Sequence, residues 1–261
     1  MQKKINLMFL AIAFIAVQTS CLHPFNHKIR GNGNIISETR ILDETFDEVE
    51  LDDNFVVYVV YNSVSEIEIE TDENLMKFIK TEVKDGKLKI RTVFGRNINP
   101  SQNVVVYVRS PFVSDLTLSG SGSMYADSLK SNNSEITLSG SGNIQAKVNS
   151  NFTEVNISGS GQIDLYNQSN SIEATISGSG DMFLEGNANQ SEFEIDGSGC
   201  IKAYNLNQNN CFATISGSGN IYTSVSDLLD VKITGSGDVY YFGHPIVNVS
   251  ISGSGQLINN N

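Results

Sequence analysis

The chain has 261 residues, with 17 Lys+Arg against 29 Asp+Glu and a net charge of −12 at pH 7. That sign excludes nucleic-acid binding by counterion release, which needs cationic side chains along the contact. A net negative surface is a solubility device before it is a binding site.

The chain opens with Met1-Gln2-Lys3-Lys4, an apolar run from Ile5 to Val17, and then Gln18-Thr19-Ser20-Cys21. A charged start, a short apolar core and small residues before a cysteine make residues 1–20 a secretory signal peptide. The run is short for a helix that crosses a membrane. A cysteine directly after the cleavage position, followed by a polar tether over 21–30, resembles a bacterial lipoprotein box, with Gln18 departing from it. On this reading Cys21 is the lipidated first residue, and the membrane is a partner through the anchor without being spanned. The alternative is an ordinary signal peptide with an incidental cysteine. Cleavage would remove Lys3 and Lys4 and no acid, moving the net charge from −12 to −14. The expected address is an exported outer-membrane lipoprotein, on either the periplasmic or the surface face.

Residues 31–112 read as a β-rich region. Strands are expected over Val49 to Leu51, Phe55 to Tyr61, Glu66 to Glu70, Lys87 to Thr92 and Val104 to Arg109. Glu66-Ile67-Glu68-Ile69-Glu70 alternates as a half-buried strand does. Asp85-Gly86 is a hairpin turn signal. Asp72 is placed to cap a short helix over Leu75, Met76 and Ile79. The region is expected to cap the N-terminal end of the repeats that begin at residue 113, because an open sheet edge invites unwanted pairing.

From residue 113 onward one tripeptide dominates. Gly-Ser-Gly begins at Gly120, Gly140, Gly159, Gly178, Gly197, Gly217, Gly235 and Gly253, at intervals of 20, 19, 19, 19, 20, 18 and 18 residues. A fixed period near 19 marks a stacked repeat. Two residues before each first glycine stand Leu118, Leu138, Ile157, Ile176, Ile195, Ile215, Ile233 and Ile251, and two after each last glycine Met124, Ile144, Ile163, Met182, Ile201, Ile221, Val239 and Leu257. Apolar residues alternate on both sides, which is strand periodicity. Both glycines share the inward parity, where a side chain would collide with a neighbouring coil. The expected fold is all-β: a single-chain parallel β-helix (β-solenoid) over 113–261, with about 19 residues per coil. Its rival is a meander of hairpins turned at Gly-Ser-Gly.

Chemistry is sparse. Eight equivalent serines from Ser121 to Ser254 make no enzymatic sense, and none sits in a Gly-x-Ser-x-Gly elbow. His244 alone represents histidine in the repeats, and a triad needs a base beside its nucleophile. No phosphate loop and no calcium repeat is present in the sequence, and neither metal nor cofactor is expected. The best acidic cluster is Glu192, Glu194 and Asp196 with Asp181 one coil earlier, read as a solvated face before a polysaccharide-cleaving site. Cys200 faces outward and Cys211 inward, so no bridge between them is expected.

The two outer faces differ. Before the glycines lie hydroxyls, such as Thr137 with Ser139 and Thr175 with Ser177; after them lie Tyr125, Tyr166, Phe183, Tyr204, Tyr222, Tyr240 and Phe242. Both arrays serve first as stabilising ladders. The aromatic face is also the candidate binding surface for a glycan or protein, with Tyr204, Tyr222, Tyr240 and Phe242 as a flat platform. Ice or mineral binding by the hydroxyl face is disfavoured because Glu194, Asp196 and Lys232 interrupt it.

The opening Phe46-Asp47-Glu48-Val49, the stretch Thr71-Asp72-Glu73-Asn74-Leu75, the run Asp85-Gly86-Lys87-Leu88-Lys89-Ile90, the Ser-Gly-Ser-Gly repeats and the closing Tyr241-Phe242-Gly243-His244-Pro245 together resemble the putative auto-transporter adhesin, head GIN domain family. The resemblance covers nearly all of residues 40–258 and implies a right-handed β-helix on exported lipoproteins, largely of the Bacteroidetes. It carries no catalytic or ligand residues. The expected function is therefore a non-catalytic adhesin or cell-envelope module, with a polysaccharide-binding or polysaccharide-cleaving β-helix as the alternative.

Overall fold

A computed structural model describes residues 28–42 and 44–261. The expected signal peptide, Cys21 and most of the expected tether lie outside the described residues.

Each repeat contributes a leading strand that ends on the first glycine and a trailing strand that comes after the last. Leading strands are Asp115–Gly120, Asn133–Gly140, Phe152–Gly159 and Ser171–Gly178; the first trailing strands are Ser123–Lys130, Asn143–Asn149 and Gln162–Gln168. Beyond these, a trailing strand runs on into the next leading strand, as Asp181–Gly197, Cys200–Gly217 and Asn220–Gly235. Every repeat strand pairs in parallel with its equivalent one coil away, with Leu118 opposite Leu138, Leu138 opposite Ile157 and Ile157 opposite Ile176. This is the β-solenoid, and the hairpin meander is overturned because Gly-Ser-Gly joins the two sheets of one coil instead of two antiparallel neighbours.

The two inward columns meet in one core. From Leu118 to Ile233 on the leading side, and from Met124 to Val239 on the trailing side, the expected residues are at most 1% exposed. Each such side chain contributes about 1.5–3 kcal/mol by leaving water. One coil alone has no second layer above or below it, so the stack is the unit of stability. The last coil shows the converse: Val247, Val249 and Ile251 occupy inward columns but are 36%, 53% and 41% exposed.

At each corner the chain needs glycine for two reasons. Gly178 has φ +132°, and a Cβ there would lie 2.5 Å from the carbonyl oxygen of Gly159 one coil below. A Cβ on Gly180 would lie 2.7 Å from Ile157 Cγ2. Ser179, between them, is exposed.

The segment before the repeats lengthens the stack as well as closing it. Strands Glu48–Leu51 and Val56–Tyr61 lie parallel beneath the first repeat coil, pairing Leu51 with Leu118 and Val57 with Met124. Strands Lys87–Thr92 and Val105–Ser110 lie parallel beneath those. Antiparallel strands then finish the end. Ile79–Lys84 folds back on Lys87–Thr92 through Asp85 and Gly86, at φ 53° and 78°; Glu66–Asp72 pairs with Val105–Ser110; and Ile35–Ile41 pairs with Glu66–Asp72. The turn is the one that Asp-Gly signals. Ile35–Ile41 was not expected from the sequence, and of Ile79–Lys84 only the Glu82-Val83 arm of the hairpin was, because Ile79 opens this strand instead of belonging to a helix.

Asp72 is a correction. Only a 3-10 turn forms, Met76–Phe78, with Leu75 at its cap and no side-chain cap bond. The Asp72 carboxylate instead accepts from the Gly33 N–H at 2.7 Å, the Ser101 N–H at 2.8 Å and the Ser101 hydroxyl at 2.7 Å. It is fully buried and ties two loops to the closed end. A three-residue turn exposes few orphan N–H groups, so the loops offered this carboxylate more partners than the turn did.

Candidate functional site

Parallel register lines up the outward residues of the trailing strands. One column reads Tyr107, Tyr58, Tyr125, Gln145, Asp164, Phe183, Lys202, Tyr222, Tyr240 and Ile258 along the stack. Neighbours in such a column sit ~4.8 Å apart, which lets flat rings stack.

Two aromatic ladders result. At the closed end, Tyr58 stacks on Tyr107 at 5.3 Å and 16° and on Tyr125 at 5.1 Å and 18°. At the other end, Tyr222 and Tyr240 stack at 4.8 Å and 7°. Tyr204 and Phe242 do join Tyr222 and Tyr240, but not as a flat platform. Tyr204 stands edge-on to Tyr222 at 77°, and tilted by 54° to Phe242. Tyr204 lies two residues beyond Lys202, the column's residue on that coil, and the register shift between Ala203 and Asn207 leaves it without a paired residue on the next coil. Its hydroxyl accepts from Asn260 Nδ2 at 2.8 Å. Burial holds the Tyr204, Tyr222 and Tyr240 phenols above their ordinary pKa, so all three are neutral donors at physiological pH. Tyr240 donates to Asp238 Oδ2 at 3.2 Å.

The first ladder is not evident from the repeats because Tyr58 and Tyr107 lie outside the Gly-Ser-Gly period. A sequence signal for it does exist: Val56-Val57-Tyr58-Val59 and Val105-Val106-Tyr107-Val108 are identical tetrapeptides, and they pair residue for residue.

Between the ladders the column turns polar and the surface dips. A trough of about 500 Å³ is lined by Tyr125, Gln145, Lys147, Asp164, Tyr166 and Phe183, among others. Tyr166 is 46% exposed, and both Asp164 oxygens accept from Gln162 Nε2, at 3.1 and 3.0 Å. Lys202 Nζ lies 4.3 Å from the Phe183 ring centre.

The leading-strand face is acidic. Glu135, Glu154, Glu173 and Glu192 stack in register on four successive coils, a column that the sequence pattern did not single out. Burial, then Glu192 and Glu154, raise the Glu173 carboxyl above its ordinary value. Glu192, Glu194 and Asp196 are exposed on this face, while Asp181 sits on a trailing strand opposite Gln162 and Cys200. The four acids therefore do not converge, and Lys202 is engaged with Phe183. Among the described residues no three His, Cys, Asp or Glu side chains are grouped to hold a metal ion. Cys200 and Cys211 are free thiols, both pushed up to about 11 by burial.

The chain matches, over residues 45–166 and 146–245, the profile of a family described as putative auto-transporter adhesin, head GIN domain. Among solved structures, a putative lipid binding protein from Parabacteroides distasonis is 29% identical with a TM-score of 0.83, covering 90% of this chain and 100% of that one. A putative adhesin from Parabacteroides merdae is 24% identical with a TM-score of 0.83, covering 90% and 99%. A putative adhesin from Parabacteroides distasonis is 23% identical with a TM-score of 0.80, covering 89% and 100%; at these last two identities the likeness speaks for the fold alone. No curated protein matches.

Proposed function

The chain belongs to the putative auto-transporter adhesin, head GIN domain family, and from that premise we propose that it is a non-catalytic, adhesin-type module of the cell envelope whose trailing-strand face binds a glycan or protein partner. Membership points to an exported or cell-surface protein. The observation that carries the binding face is the Tyr222–Tyr240 stack with Tyr204 and Phe242 packed around it. Rings held by one another lose little further freedom on contact, and Phe242 is still 38% exposed. Against cleavage, Glu194 and Asp196 stand exposed side by side on one strand, whereas glycoside hydrolysis needs two carboxyls across one bond. The lipid-binding name of the Parabacteroides distasonis neighbour is not transferred, because large side chains fill both inward columns of this core.

The double substitution Tyr222→Ser with Tyr240→Ser tests the face. Adhesion to cells or glycans is expected to fall at least tenfold with a melting temperature within a few degrees of wild type. A lowered melt with binding unchanged would make the ladder a structural device only.

The anchor rests on the Ser20-Cys21 junction. Labelling with an alkyne fatty acid is expected to mark the wild-type chain and to vanish in Cys21→Ala; persistent labelling of the variant would remove the lipoprotein reading.

A further inference from the structure

The trough between the two ladders has walls of one kind and a floor of another. At one end Tyr125 has Tyr58 stacked against it at 5.1 Å. At the other, Phe183 has the Lys202 ammonium over its ring at 4.3 Å. In the column Tyr58 and Lys202 lie on the far sides of these rings, and Gln145 and Asp164 lie between them. Each wall ring thus has one face engaged and the other turned toward the trough. Three coil steps of ~4.8 Å separate the walls by ~14 Å. Subtracting van der Waals contact of ~3.5 Å at each wall leaves about 7 Å, the room of one or two sugar rings.

The floor supplies the complementary chemistry. Gln145 offers an amide, Lys147 an ammonium and Asp164 a carboxylate already steadied by Gln162, while the Tyr166 ring rises beside them. Apolar ring faces at the ends and hydrogen-bonding groups below match a ligand with apolar C–H faces and a hydroxyl rim, which is a pyranose. Asp127, Asp164 and Glu185 line the trough against the single cation Lys147, so an anionic sugar would meet like charge. We propose that this trough is a saccharide subsite for a disaccharide-sized segment of a neutral glycan. The proposal rests on the trailing-strand face being the binding face, and it moves the specific contact from the Tyr222–Tyr240 stack to the Tyr125–Phe183 interval.

The purified full chain is titrated calorimetrically with cellotetraose, mannotetraose, xylotetraose and tetragalacturonate, alongside an array of neutral and uronate-bearing glycans. At least one neutral glycan is expected to bind and the uronates are not. Phe183→Ser is expected to weaken that binding at least tenfold. Asp164→Ala, a small change on an outward position, is expected to do the same with an unchanged melt, which separates binding from folding. Absence of any neutral-glycan binding, equal binding of tetragalacturonate, or neutral-glycan binding that survives both variants would each overturn the subsite. Adhesion abolished by Tyr222→Ser with Tyr240→Ser but untouched by the trough variants would overturn the subsite and leave the broader binding face standing. Glycan binding lost in the trough variants, with every contact indifferent to the tyrosine pair, would keep the subsite and the face and remove the Tyr222–Tyr240 stack as a contact.

Discussion

Gly178→Ala is expected to destabilise the protein by about 3–5 kcal/mol, although it adds a single methyl group. Two independent causes act at this corner. The backbone there has φ +132°, a conformation that side-chain-bearing residues rarely adopt, at ~1–3 kcal/mol. The new Cβ would also lie 2.5 Å from the Gly159 carbonyl oxygen, which cannot retreat because it accepts the Ser179 N–H at 2.9 Å. Relief would have to travel along the stacked corners, since each first glycine from Gly140 to Gly253 leans on the one below and Gly120 leans on Asp53. Ser179→Ala, at the exposed position next to it, is expected to change stability by no more than about 0.5 kcal/mol. Chemical denaturation of the two variants checks the contrast; comparable melts would show that the corner has slack the geometry denies.

Asp72→Ala is expected to cost about 3 kcal/mol, because it removes three charge-assisted hydrogen bonds and leaves the Gly33 and Ser101 N–H groups without their partner. The pH dependence has a definite sign. Burial pushes the Asp72 carboxyl up, but the Ser101 N–H, the Ser101 hydroxyl and the Gly33 N–H together hold it below its ordinary value. A depressed folded pKa means that its stabilisation is complete above the unfolded value near ~3.9 and is lost as pH falls through the folded value. Wild type should therefore lose stability below about pH 4 more steeply than Asp72→Ala does. Glu173 works the other way: its raised carboxyl makes protonation favour the folded state, weakly because the side chain is exposed and screened. Melting curves from pH 7 to pH 3 check both; parallel acid limbs in wild type and Asp72→Ala would remove the linkage.

The repeat region was legible because a solenoid writes its geometry on every coil. Ile157, Ile176 and Ile195 recur at one offset since they occupy one column, and the glycines recur because backbone contact between coils admits no Cβ. Where the chain is not periodic, legibility ended. Strand Ile79–Lys84 reads IKTEVK, whose half-buried residues blur the alternation. Asp72 looked like a cap because local spacing cannot reveal a partner such as Ser101, which is 29 residues away. For the candidate site, the Tyr222–Tyr240 stack comes directly from equal offsets in adjacent repeats. The edge-on Tyr204 does not, since the register shift after Ala203 is a property of pairing and not of spacing. The trough was hidden for a related reason. It is made by two adjacent coils whose column residues, Gln145 and Asp164, are polar, and a gap is visible only once its borders are known to touch.

The closed end of the stack precedes the repeats in the chain, which offers an order of assembly. A chain delivered N-terminus first, from a ribosome or a translocation pore, completes residues 48–110 before any Gly-Ser-Gly appears. That unit must bring together strands such as Val56–Tyr61 and Val105–Ser110. Each later coil then needs only the next 19 or so residues to meet an edge already in place, a short loop closure of nearly constant size. Assembly in this order is expected to be a slow first step followed by a series of additions of nearly equal size.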